Sequence, residues 1–188
     1  MPFVSSHQDT EQLALTLVAE FAASVEQVWQ IWEDPRQLER WWGPPTWPAT
    51  FESHNFVPGG RATYYMTGPD GEKITYYWLF TDISVPSSLS FDDGFTDESG
   101  NPSSEMPIIH TAVTLERADA LTRMTIRSRF DSIEQLELLD SMGMVEGMTE
   151  AIGQIDAILA DWSWCAETRP PLRAFVHVRL SRSTPEPS

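Results

Sequence analysis

From Trp41 to Met148 the chain carries aromatic and methionine side chains that alternate along candidate strands and then recur at helical spacing. This pattern restricts it to a fold with an enclosed apolar interior. Fourteen Phe, Tyr and Trp residues lie between Trp41 and Phe130, and Phe51, Tyr64, Tyr65, Tyr76, Tyr77, Trp78 and Phe80 share one stretch of thirty positions. No paired charges interrupt the pattern. It therefore favours a chamber that holds a molecule over a centre that transforms one.

A chain of 188 residues suits one domain that buries roughly 70% of its unfolded surface. Twelve basic against 28 acidic residues give a formal charge of −16, which repels phosphate backbones and anionic lipid surfaces. Neither nucleic acid nor a membrane is an expected partner. No basic region precedes an apolar stretch at the N-terminus, and no run approaches the roughly 18 apolar residues of a membrane helix, so a cytoplasmic location is expected. Cys165 is the single cysteine and has no internal disulfide partner.

Leu13, Leu15, Leu17, Ala19 and Phe21 alternate with Thr16, Val18 and Glu20 as a strand with one buried face. Ser24 and Gln27 form a capping-box signature, and Asp34-Pro35 marks a second helix start. Two short helices thus lead to Trp41 and Trp42. Between Trp47 and Phe130, the turn chemistry of Pro58-Gly59-Gly60, Gly68-Pro69-Asp70-Gly71, Pro86-Ser87-Ser88, the polar segment Asp92 to Ser104, and Ala118-Asp119-Ala120 divides the chain into antiparallel strands. On the last strand Met124, Ile126, Ser128 and Phe130 face inward. On an earlier one Ile74, Tyr76, Trp78 and Phe80 do so, which turns Thr63 and Tyr65 inward across the Asp70-Gly71 turn. After a short helical piece at Glu134 to Leu139, Met148, Ile152, Ile155, Leu159 and Trp162 form the apolar stripe of one helix from Met144 to Trp162. It is expected to cover the concave face of the sheet.

The order of elements resembles the START-like helix-grip fold of the SRPBCC superfamily, an α+β architecture of the birch-pollen-allergen type. The motifs Phe21-x-Ala23-x-Val25-x-x-Val28-Trp29, Asp34-Pro35 to Trp41-Trp42-Gly43-Pro44, Pro58-Gly59-Gly60-Arg61, Gly68-Pro69-Asp70-Gly71, Asp93-Gly94-Phe95, Thr122-Arg123-Met124 and Met142-Gly143-Met144-x-x-Gly147 follow in order. Together they resemble the branch named after the activator of heat-shock-protein-90 ATPase. The resemblance covers about residues 11 to 162. It implies a cavity or surface that the superfamily adapts to lipid carriage, cyclisation, hydrolysis or co-chaperone contacts.

His7, His54, His110 and His177 lack metal-site spacing, and His54 and His110 are expected on the outer sheet face. No metal and no cofactor is expected. The carboxylates, among them Asp92, Asp93, Asp97 and Glu98 in the polar segment expected as a loop, read as solvated surface, with no pair placed for acid–base work. Gly143, Gly147 and Gly153 each cost about 1 kcal/mol inside a helix, offset either by close packing or by a wider cavity entrance.

The expected cavity is lined by Phe51, Ser53, Tyr65, Tyr76, Trp78, Phe80, Phe91, Thr111, Met124, Ile126, Ser128, Met144, Met148 and Ile152. Its occupant would be a small apolar or aromatic molecule, oriented by the inward hydroxyls. Two rivals stand beside this: a cyclase or hydrolase with Tyr65 or Tyr76 as acid, and a protein-interaction module whose core is filled by its own aromatic side chains. Residues 163–188 carry four arginines and two glutamates against a body of −18. Leu172 to Leu180 alternate as a strand that would pair with a sheet edge in the same chain or across a homodimer.

Overall fold

The computed structural model describes residues 3–97, 99–103 and 106–167. These form eight strands, β1 (Phe3–Asp9), β2 (Ala14–Phe21), β3 (Ala49–His54), β4 (Arg61–Thr67), β5 (Lys73–Ser84), β6 (Ser88–Phe95), β7 (Ile109–Ala118) and β8 (Leu121–Arg129). Five helices complete the order: α1 (Val25–Glu33) and α2 (Pro35–Leu38) between β2 and β3, then α3 (Ile133–Ser141), α4 (Met144–Gly153) and α5 (Ile155–Glu167). The strands make one sheet in the order β1-β2-β8-β7-β6-β5-β4-β3, antiparallel at every junction. This is the α+β helix-grip arrangement. The C-terminal strand expected at 172–180 lies outside the described residues.

Local chemistry sets the first helices. The Ser24 hydroxyl accepts from the Gln27 amide at 3.3 Å while Gln27 Oε1 accepts from the Ser24 amide at 2.9 Å, so two otherwise orphaned donors at the start of α1 are paired. Asp34 caps α2 through the Arg36 amide at 2.8 Å, with Pro35 in the first turn. Since β2 is near one end of the sheet and β3 at the other, these two helices carry the chain across. The meander β3 to β8 then returns to pair with β2.

Three elements depart from the sequence reading. β1 was not anticipated, because Phe-Val-Ser-Ser-His-Gln-Asp has little alternation, and Leu13, expected in β2, sits at φ +48° in the turn joining it to β1. The expected continuous helix over 144–162 is two: α4 ends at Gly153, and Gln154 donates from Nε2 to the Trp41 and Gly43 carbonyls at 3.3 and 2.9 Å. Asp92 and Asp93 lie on β6 and not in a loop.

Helices and sheet bury one core. Val28, Trp29, Ile31 and Trp32 of α1 and Ile155, Ile158 and Leu159 of α5 join Leu17, Val113, Met124 and Ile126 from the sheet. At the β3–β6 end the core is aromatic: Trp32, Trp41, Trp42, Trp78 and Phe91 touch with ring centroids between 4.2 and 6.3 Å. Such pairs contribute about 0.5–1.5 kcal/mol beyond area burial. No helix of the described residues is long and apolar enough to cross a membrane.

Candidate ligand-binding site

Residues opposite one another on neighbouring strands share a sheet face, so the register lays out the concave surface in rows. One row runs Phe51, Tyr64, Tyr76, Phe95. Its rings stack at 4.7 Å for Phe51 on Tyr64 and 5.0 Å for Tyr64 on Tyr76, with Phe95 tilted against Tyr76 at 4.8 Å. The next row is Ala62, Trp78, Asp93, Ile109, and the one beyond is Phe80, Phe91, Thr111, Ser128, Leu15. A carboxylate thus projects into the aromatic end of the interior.

Trp78, Phe80, Phe91, Met124 and Ile126 are at most 1% exposed, with Phe51, Thr111, Ser128 and Ile152 also buried. Tyr76, Met144 and Met148 are partly exposed and pack against this core. Tyr65, Ser53 and Thr63, all anticipated inward, point the other way. The Gly68–Glu72 turn pairs Tyr64 with Tyr76 and Tyr65 with Thr75, so Tyr64 faces inward while Tyr65 lies on the convex side beneath the Lys73 ammonium, 3.9 Å from its ring centre. A bulge between Phe51 and Ser53 shifts the parity of β3. It turns Ser53 outward, where its hydroxyl meets that of Thr63 at 2.8 Å.

The same bulge turns His54 inward, against the outer-face expectation. Its ring stacks on Phe56 at 5.2 Å and meets Phe51 and Phe80 edge-on, and Nε2 lies 3.2 Å from the Trp32 carbonyl. A carbonyl only accepts, so Nε2 carries the proton. Burial pushes the His54 pKa down, which keeps the ring neutral. His110 is on the convex face as expected, with Nδ1 2.7 Å from Asp92.

Asp93 is what the sequence reading missed. Tyr64 donates its hydroxyl to the two carboxylate oxygens at 3.2 and 3.4 Å, and no ion pair reaches the group among the described residues. Burial raises its pKa to about 7; the Tyr64 hydroxyl and the nearby Trp78 indole act against that rise. Among the described residues the Trp78 N–H still closes no hydrogen bond of acceptable geometry, nor do those of Trp29, Trp32 and Trp42. Trp41 by contrast donates to the Ile31 carbonyl at 3.1 Å. An unmet buried donor costs roughly 1–3 kcal/mol. Burial also pushes Tyr64 and Tyr76 upward, so both phenols keep their protons and serve as donors. Tyr65, the other acid candidate, faces away.

A void large enough for water would expose the side chains that line it. The near-zero exposure of Trp78, Phe80, Phe91, Met124 and Ile126 therefore closes the expected chamber at those residues: the aromatic end is filled by its own side chains. Met66, Tyr76, Phe95, Met144 and Met148 are partly exposed on the concave side, and the Asp93 carboxyl lies buried beside them. The surface clefts include one of about 620 Å³ lined by Glu52, Thr63, Lys73, Thr75, Thr96 and Asp97 together with Tyr64, Ile74 and Tyr76. The described residues contain no group of three metal-ligating side chains. Gly147 does not widen an entrance: a Cβ there would meet Pro44 in ordinary contact at 3.8 Å.

The profile of the family described as Activator of Hsp90 ATPase homolog 1-like protein matches residues 22–160. A solution NMR structure of a protein from Arthrobacter aurescens is 53% identical, with a TM-score of 0.80 over 95% of this chain and 98% of that one. A crystal structure of a protein from Mycobacterium smegmatis is 48% identical, with a TM-score of 0.77 over 84% and 97% of the two chains. The AHSA1 protein of Silicibacter pomeroyi, 22% identical over 78% of this chain and 97% of that one, shares the fold at a TM-score of 0.63. The sequence matches no curated protein.

Proposed function

This chain belongs to the Activator of Hsp90 ATPase homolog 1-like family, and on that premise we propose that it binds a small, largely aromatic or apolar molecule at the concave mouth formed by Tyr64, Tyr76, Asp93 and Phe95. The observation that carries the reading is the inward Asp93 carboxyl. A polar group costs free energy in such a place unless something hydrogen-bonds to it, and Tyr64 meets only part of its capacity. The buried indoles of Trp42 and Trp78 stand beside Tyr64 and Asp93 respectively, so the polar groups there converge. Behind them the sealed aromatic core holds the site rigid, and apolar walls with a few convergent polar groups are the usual make-up of a ligand site.

Native mass spectrometry of the protein purified without added ligand, followed by titration with a hydrophobic dye, tests this. A bound small mass or saturable dye binding that Tyr76→Leu weakens about tenfold is the expected result. No bound mass and no saturable binding overturns it. The filled core favours a second reading, an interaction module of the co-chaperone kind, and that negative result is the one it requires.

A further inference from the structure

We propose that the molecule held at this mouth is an organic cation, an ammonium or methylated ammonium on an aromatic or aliphatic body, seated against the rings of Tyr76 and Phe95 with Asp93 as its counter-charge. This deepens the ligand-binding reading and rests on it.

The first support is what surrounds the carboxylate. Tyr64, Tyr76 and Phe95 form a continuous run of rings with centroids 5.0 and 4.8 Å apart, Trp78 stands directly opposite Asp93 across the β5–β6 ladder, and Trp42 meets Trp78 edge-on at 4.8 Å. Aromatic faces attract cations through the ring quadrupole, more strongly where water is excluded. A neutral apolar ligand would gain nothing from a carboxylate set among them. A cation gains from both.

The second support is the absence of a resident counter-ion among the described residues. The basic side chains nearest in the sheet are on its other face: the Arg61 guanidinium lies 4.7 Å from the centre of the Tyr77 ring and the Lys73 ammonium covers Tyr65. Asp92, one residue away, has His110. Asp93 has the Tyr64 hydroxyl and the nearby Trp78 indole, neutral donors that support a carboxylate without neutralising it. The formal charge of −16 raises the concentration of small cations near the surface, and the partial exposure of Tyr76 and Phe95 leaves them a way to the rings beside the buried carboxyl.

The third is the state of the group. Tyr64 from β4 and Tyr76 from β5 are the titratable side chains that face Asp93 among the described residues, and burial holds both protonated. With the Asp93 pKa raised to about 7, the carboxylate that a cation requires is a minority form at pH 6 and the major form at pH 8.

A matched pair of probes tests the inference: phenyltrimethylammonium, whose charge does not titrate, and tert-butylbenzene, its neutral isostere, each followed by tryptophan fluorescence. Preference for the cation by tenfold or more at pH 8 is the expected result, shrinking about tenfold on going to pH 6 as Asp93 takes up its proton. In Asp93→Asn the pH dependence vanishes and the preference falls at least tenfold, to what the rings alone supply. Equal or tighter binding of the neutral isostere overturns the cation and leaves the ligand-binding reading standing; binding of neither probe overturns both. A cation preference at pH 8 that Asp93→Asn and Asp93→Ala both leave intact removes Asp93 from the site.

Discussion

Asp92 and Asp93 are adjacent on one strand and face opposite sides of the sheet. On the convex side Asp92 meets His110 at 2.7 Å, in company with Arg123 paired to Glu20 at 2.8 Å and to Glu116 at 3.5 Å. On the concave side Asp93 stands among rings with no charged partner among the described residues, and burial lifts it to about 7. The same side chain is thus part of a solvated charge pattern on one face and a costly, poised group on the other. Composition alone does not distinguish the two; strand parity does.

The largest expected effect is at another adjacent pair, Trp78 and Tyr77. Trp78 is fully buried and packs on Phe91 at 4.2 Å, Trp42 at 4.8 Å and Phe51 at 5.4 Å, so Trp78→Ala should cost about 3–5 kcal/mol in urea unfolding. Tyr77 is buried on the convex side, beneath Arg61 and across Gly94, whose added Cβ would stand 2.7 Å from the tyrosine ring. Tyr77→Ala should cost about 1–3 kcal/mol, since its site can open to solvent. With folded populations matched, the Trp78 substitution should also weaken ligand binding more. Equal losses of stability and affinity would erase the distinction between the faces.

Next comes the pH dependence of stability. An Asp that titrates near 3.9 unfolded and at about 7 folded binds its proton more tightly in the folded state, so its contribution disfavours folding as pH rises from about 4 to about 7, by at most about 4 kcal/mol. Asp93→Asn removes that penalty. The variant should match the parent at pH 4 and be more stable than it at pH 8 by about 1–3 kcal/mol, less than the limit because the protein relaxes around the charge. Asp92→Asn loses only a partly exposed pairing and should be neutral or slightly destabilising at pH 8. A less stable Asp93→Asn at pH 8 would mean that the carboxylate is already compensated.

How much of this was legible follows the same parity argument. The concave face of β8 could be read directly, because Met124, Ile126 and Ser128 alternate with arginines and threonine and no bulge intervenes. Tyr64 and Tyr65 could not be told apart, since both are tyrosines and the number of residues in the Gly68–Glu72 turn decides which one faces Tyr76. His54 moved inward on a bulge that no residue type announces. Asp93 was hidden by its neighbours: Asp-Asp-Gly-Phe-Thr-Asp has the composition of a loop, yet β6 continues to Phe95 because Trp78, Tyr77 and Tyr76 pair with Asp93, Gly94 and Phe95. Tertiary pairing overrode local propensity.

The smallest effect separates the faces by hydroxyl pairs. Thr111 and Ser128, both anticipated as inward hydroxyls, are buried on the concave face with their oxygens 3.3 Å apart; Ser53 and Thr63 form the corresponding pair at 2.8 Å near solvent on the convex face. By distance alone the outer bond is the better one. Burial reverses the ranking, because Ser128→Ala leaves the Thr111 hydroxyl without that partner where water does not replace it, at about 1–3 kcal/mol, whereas Ser53→Ala lets water bond to Thr63 and should stay within about 0.5 kcal/mol. Chemical denaturation of the two variants measures both. Equal costs would show that water reaches Thr111, which places an open, wet cavity on the concave face where the closed aromatic packing puts none.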